Sequence, residues 1–132
     1  MKAVELVEVG PRDGLQNEKS LIPTEAKIRL IDSLSEAGFS LVEATSFVSP
    51  KWVPQLGDAA EVMAGITRHP DSDYIVLTPN QRGLAGALAA EVDEVAVFGA
   101  ATEGFSQHNI NCSVRESLNR FRPIMAEALA AN

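Results

Sequence analysis

Arg12 and Asp13 stand side by side in the run Val-Glu-Val-Gly-Pro-Arg-Asp-Gly-Leu-Gln-Asn-Glu over 7–18. The apolar residues before them read as a strand, Val4 to Val9, and Gly10-Pro11 cannot continue its ladder. A strand end is a rigid mount, and the turn after it fixes the direction of polar side chains. A carboxylate there can ligate a hard divalent cation. A guanidinium there can polarise a carbonyl oxygen where charge develops. The same pair also fits a plain surface ion pair, worth about 0–1 kcal/mol. A second carboxylate, Glu43, lies near the end of the apolar run Ser40 to Ala44. Burying it without a partner is costly, so packing alone does not explain it. Orienting a substrate hydroxyl, shaping a metal's surroundings and pairing with Arg12 each do.

Four strand patterns alternate with four helix patterns around these residues. The strands are Val4–Val9, Ser40–Ala44, Tyr74–Leu77 and Glu94–Phe98. Thr24 is a candidate N-cap for a helix carrying Ile28, Leu30, Ile31, Leu34 and Ala37, and Gly38 falls where a helix-terminating glycine belongs. Asp58-Ala-Ala-Glu61 and Ser113-Val-Arg-Glu116 read as capping boxes, and Asn80 as a further cap. Strands this apolar, separated by amphipathic helices, predict a parallel sheet with right-handed crossovers. An open doubly wound sheet and a (β/α) TIM barrel both satisfy that pattern. Polar residues gather after the strands: Arg12 and Asp13, Glu43, Thr78 and Asn80, then 99–103. That distribution favours the barrel, whose chemistry sits at the C-terminal strand ends. No glycine-rich dinucleotide fingerprint follows the first strand. A full barrel takes eight strands and about 250 residues. The 132 residues supply about four βα units, so the whole chain, 1–132, reads as the N-terminal half of a barrel domain with the first and fourth strands as open edges.

Composition narrows the partners. Net charge is −7 with no basic cluster, which argues against nucleic acid. The longest apolar runs are too short to span a bilayer. Glu5 and Glu8 interrupt any secretory h-region, and the single cysteine fits a reducing compartment, so the expected location is the cytoplasm.

Three elements carry a family resemblance: the 7–19 run ending Leu-Gln-Asn-Glu-Lys, the run Glu-Ala-Thr-Ser-Phe-Val-Ser-Pro-Lys-Trp-Val-Pro-Gln-Leu over 43–56, and Asn-Ile-Asn-Cys-Ser over 109–113. Together they closely resemble the 3-hydroxy-3-methylglutaryl-CoA lyases, and the likeness spans essentially the whole chain. Isopropylmalate and homocitrate synthases share only the Arg-Asp-Gly element and a later glutamate. The resemblance implies a TIM barrel, a Mg²⁺ or Mn²⁺ ion, an acyl-CoA substrate, and cleavage of hydroxymethylglutaryl-CoA to acetyl-CoA and acetoacetate. It implies that Arg12 stabilises the thioester enolate and that Asp13 ligates the metal. It places Gln16, Glu43 and Ser46 close to substrate and metal. The family's other metal ligands, a His-X-His pair and a later asparagine, and its reactive cysteine loop have no counterpart in these residues. Activity of the 132 residues alone is therefore not expected, whereas association through the barrel edges is. The alternatives are a related acyl-CoA lyase or synthase, and a non-catalytic half-barrel that self-associates.

The remaining polar residues divide less sharply. Asn109 and Asn111 fit either loop turns or contact with substrate. Lys19 and Lys51 fit solvated charges or partners for CoA phosphates. Trp52 reads as a packing anchor for its loop, Cys112 as a small core residue, His69 as surface, and His108 as part of the fourth loop.

Overall fold

The computed structural model describes residues 4–131. Its four strands are β1 (Val7–Glu8), β2 (Leu41–Ser46), β3 (Asp73–Leu77) and β4 (Glu94–Ala96). They lie parallel in the order β1-β2-β3-β4. The helices are α1 (Thr24–Glu36), α2 (Ala59–Gly65), α3 (Gln81–Ala89), α4 (Glu103–Ile110) and α5 (Val114–Ala130).

The core lies between one face of the sheet and the first three helices. Val42 and Ala44 of β2 and Tyr74 and Val76 of β3 meet Ile31 of α1, Val62 and Met63 of α2, and Ala87 of α3. Side chains alternate along a strand, so Glu43 and Ile75, which pair across β2 and β3, face the other way. A bulge between Glu43 and Thr45 puts one extra residue in β2, which lengthens that strand towards the site. Tyr74 is fully buried, and its hydroxyl is fully used. It accepts from the His69 N–H at 3.1 Å, faces the Thr67 carbonyl at 3.3 Å and meets the Ser35 hydroxyl at 2.9 Å.

The termini of α1, α3 and α5 follow their local sequence. Gly38 takes φ +95° after α1, while Phe39 N–H donates to Leu34 O and Gly38 N–H to Ser35 O. That is the paired closure expected when a glycine ends a helix. Asn80 Oδ1 accepts from Gly83 N–H at 2.9 Å. Ser113 and Glu116 form the reciprocal capping box. Its hydrogen bonds, first from the Ser113 main chain and then from its side chain, hold the Glu116 carboxyl below the usual carboxylate range.

Several expectations change. β1 and β4 are shorter than the apolar runs that suggested them, because each pairs on one side alone among the described residues. Val4 and Leu6 are largely exposed. Thr24 is the first residue of α1 rather than its cap, which is Pro23; its hydroxyl donates to Asp58 Oδ2 at 2.8 Å. Asp58 precedes α2, but its carboxylate does not cap the helix. It is taken by Thr24 and by the buried ammonium of Lys27 at 2.7 Å, a stronger donor than a helix N–H. The segment read as the fourth loop contains α4, capped by Thr102 Oγ1 accepting from Phe105 N–H. Ser106 is the sole buried residue of that helix, so no apolar stripe announces it.

Candidate active site

β1 ends in a five-residue π-turn, Gly10–Gly14. Pro11 is buried and has no N–H to donate. Asp13 and Gly14 both donate to Val9 O, at 2.7 and 3.4 Å. This wide turn carries Arg12 back across the neighbouring strand. Its Nε donates to Glu43 Oε1 at 2.5 Å, and its Nη1 to Asp13 Oδ1 at 3.0 Å. Arg12 and Glu43 side chains are 17% and 12% exposed, whereas Asp13 is 57% exposed. The pair Arg12–Glu43 is therefore sheltered, and Asp13 faces solvent.

A guanidinium held from two sides by carboxylates has one orientation. It also keeps unspent N–H donors, Nη2 among them, for a further acceptor. Such an acceptor would meet fixed donors that need no reorganisation, the arrangement that favours developing negative charge. Asp13 offers a hard oxygen ligand open to water, which suits one position on a hydrated Mg²⁺ or Mn²⁺. The described residues contain no group of three or more metal-ligating side chains, so Asp13 would offer a metal one ligand and not a complete shell.

The other expected residues divide around this centre. Ser46 is buried at the end of β2, where its hydroxyl donates to Leu77 O at 3.3 Å and ties β2 to β3. Gln16 is exposed one residue beyond Leu15 and makes no hydrogen bond to Glu43. Asn109 lies in α4 with an exposed side chain rather than in a loop, and His108 shares that last turn. Asn111 takes the turn role instead, ending α4 at φ 49°. Trp52 is 78% exposed and does not anchor its loop by packing; Lys51 Nζ lies 6.0 Å from its ring. Cys112 is buried, as its size suggests.

Two buried polar residues had no individual role assigned from the sequence, although Thr78 was counted among the polar residues that follow the strands. Thr78 is fully buried just past β3, and its hydroxyl has no partner among the described residues. Gln55 is buried in the loop after β2 and bonds three main-chain groups of the segment after Asp13. A polar residue set between Pro54 and Leu56 is the weak signal that marks it.

Known proteins resemble this chain in sequence and fold. A mitochondrial hydroxymethylglutaryl-CoA lyase of Bos taurus is 62% identical over 98% of the chain, which covers 40% of that protein. A cytoplasmic 3-hydroxy-3-methylglutaryl-CoA lyase of Mus musculus is 58% identical over 95% of the chain, covering 36% of that protein. A solved HMG-CoA lyase of Acinetobacter baumannii, in complex with coenzyme A and 3-methylmalate, superposes with TM-score 0.89 at 41% identity. That match covers 96% of this chain and 43% of the solved one. The chain thus spans about two-fifths of the length of its curated relatives. The profile of the HMGL-like family matches residues 3–132, and the parallel βα units described above are the N-terminal portion of that family's TIM barrel: the chain belongs to the HMGL-like family.

Proposed function

We propose that this chain forms the N-terminal part of a hydroxymethylglutaryl-CoA lyase, which cleaves 3-hydroxy-3-methylglutaryl-CoA to acetyl-CoA and acetoacetate. The observation that carries this reading is the Arg12 guanidinium, fixed between Glu43 and Asp13 with donors to spare. In the reaction the tertiary alcohol loses its proton and its oxygen becomes the ketone of acetoacetate. The electron pair of the broken C–C bond moves into the thioester, which leaves as an enolate and takes up a proton. Arg12 donates to the thioester oxygen as that charge develops. Glu43 holds Arg12 in place and, at the inner face of β2, is set to meet the substrate hydroxyl. Asp13 would hold a Mg²⁺ or Mn²⁺ ion, which when bound supplies Lewis-acid polarisation of substrate oxygens. Gln16 and Ser46 are assigned to the substrate's surroundings on the strength of the resemblance, and Asn109 as a polar side chain open to contact with substrate. The acyl-CoA substrate is supported by the coenzyme A bound to the A. baumannii relative. Relatives carry mitochondrial and cytoplasmic names, and a single free cysteine fits the reducing interior of either compartment.

Acetoacetate release by the full-length protein tests this. Arg12→Gln is expected to lower kcat about 10²–10³-fold with a small change in KM, the mark of a group that acts mainly in the transition state. A rate within a few-fold of wild type and a raised KM would make Arg12 a binding residue instead.

A further inference from the structure

The Arg12–Asp13 turn is followed by a segment without regular structure, from Asn17 to Pro23. It nonetheless has a ladder partner in a single side chain. Gln55 Oε1 accepts from Ile22 N–H at 2.8 Å. Gln55 Nε2 donates to Ser20 O at 2.8 Å and to Glu18 O at 3.3 Å. The amide thus satisfies main-chain groups on alternate residues, as a neighbouring strand would. Gln55 is itself held from behind. Lys27, 4% exposed, donates its ammonium to the Gln55 carbonyl and to Asp58 Oδ1, and Thr24 ties Asp58 to the start of α1.

These contacts join the same two strand-end segments that Arg12 and Glu43 join. The segment after β1 carries Arg12 and Asp13, and the strand before the Gln55 loop carries Glu43. One fastening sits at the strand ends, the other further along both loops. Between them, Asn17 Nδ2 donates back to Asp13 O at 2.8 Å, so displacement of the segment would reach Asp13 directly. We infer that Gln55, braced by Lys27, is a positioning residue that holds the Arg12–Asp13 turn in register with Glu43. This assignment of a role in turnover rests on the lyase reading; the mechanical claim does not.

Hydrogen exchange read by mass spectrometry on the full-length protein tests the mechanical claim. Peptides covering 18–23 report the clamp, 10–17 the Arg12–Asp13 turn, and 73–77 the central strand. Gln55→Met removes all three hydrogen bonds at similar volume. Exchange is expected to rise about tenfold or more over 18–23 and several-fold over 10–17, with 73–77 unchanged. Gln55→Glu keeps the acceptor for Ile22 but not the two donors, and is expected to release 10–17 while sparing Ile22. This variant decides the matter if the methionine protein does not fold. Unchanged exchange over 10–17, or a parallel rise over 73–77, would overturn the inference. In the same proteins kcat for hydroxymethylglutaryl-CoA is expected to fall about tenfold with KM within about twofold. An unchanged kcat would overturn the role in turnover. A wild-type protein without lyase activity would instead refute the proposed function, and the exchange pattern would still decide the clamp.

Discussion

A double-mutant cycle on Arg12 and Glu43 separates what their ion pair does for stability from what it does for chemistry. Two unit charges about 4 Å apart attract by about 4 kcal/mol at an effective dielectric constant of about 20. Partial burial offsets part of that gain through lost hydration. Glu43→Gln keeps an oxygen acceptor for Arg12 Nε and loses its charge, which costs about 1.5–3 kcal/mol on the scale of hydrogen bonds to charged groups. Arg12→Gln leaves a sheltered carboxylate with no cation, and the cost approaches the lower end of the roughly 3–5 kcal/mol seen for broken buried pairs. Residual exposure of 17% and 12% keeps it at that lower end. The double variant pairs two neutral amides and is expected within about 1 kcal/mol of wild type. The coupling energy, the summed single losses less that of the double variant, is then about 3.5–6 kcal/mol. Urea unfolding of the 132-residue chain, followed by far-ultraviolet circular dichroism, measures it. Trp52 fluorescence would be a poor reporter, because that ring is already 78% exposed. All four proteins are compared at one concentration, so that association enters each corner alike. Additive losses, with coupling under about 0.5 kcal/mol, would refute the pairing argument. A stable double variant with no turnover in the full-length protein would show that the pair is retained for catalysis.

Four further outcomes are expected. Asp13→Asn should weaken Mn²⁺ binding to the full-length protein while leaving its unfolding midpoint within about 1 kcal/mol of wild type, since a neutral amide is a poorer ligand for a hard cation; calorimetric titration checks this, and unchanged affinity would remove Asp13 from the metal. Ser113→Ala should cost about 1 kcal/mol through loss of the α5 cap. Because the folded state lowers the Glu116 pKa, its stabilisation is full above the ordinary carboxylate range and is lost as pH falls through the lowered value; Glu116→Gln should abolish that acid-side slope in unfolding midpoints, and an unaltered slope would assign it elsewhere. Expressed by itself, the 132-residue segment should associate through the open edges of β1 and β4 and lack lyase activity; light scattering that reports a clean monomer would contradict the edge argument.

What the sequence made legible follows from how local each cause is. β2 and β3 are apolar runs flanked by pairing partners, and the Gly38, Asn80 and Ser113–Glu116 termini are set by residues a few positions apart. The meeting of Arg12 with Glu43 was readable because parallel strands bring their C-terminal ends to one side. Asp58 misled because its cap pattern is local, whereas its partner Lys27 comes from another helix. Helix α4 was missed because it buries little, and with it the placement of Asn109. Gln55 could not be found from spacing, since its three bonds reach main-chain groups more than thirty residues away in the chain.

The strand order also has a consequence in time. β1, β2, β3 and β4 are laid side by side in the order in which they are encoded, and each pairs with the strand about 20–35 residues further on. A ribosome adds about 5–20 residues per second, so each new strand is presented a few seconds after its partner. Helix formation and short-loop closure take microseconds or less. Each unit therefore has time to dock on the one before it while the next is still being made. No strand has to wait for a partner encoded at the far end of the segment, and the growing sheet keeps the same trailing edge, β1, while its leading edge passes to each new strand in turn.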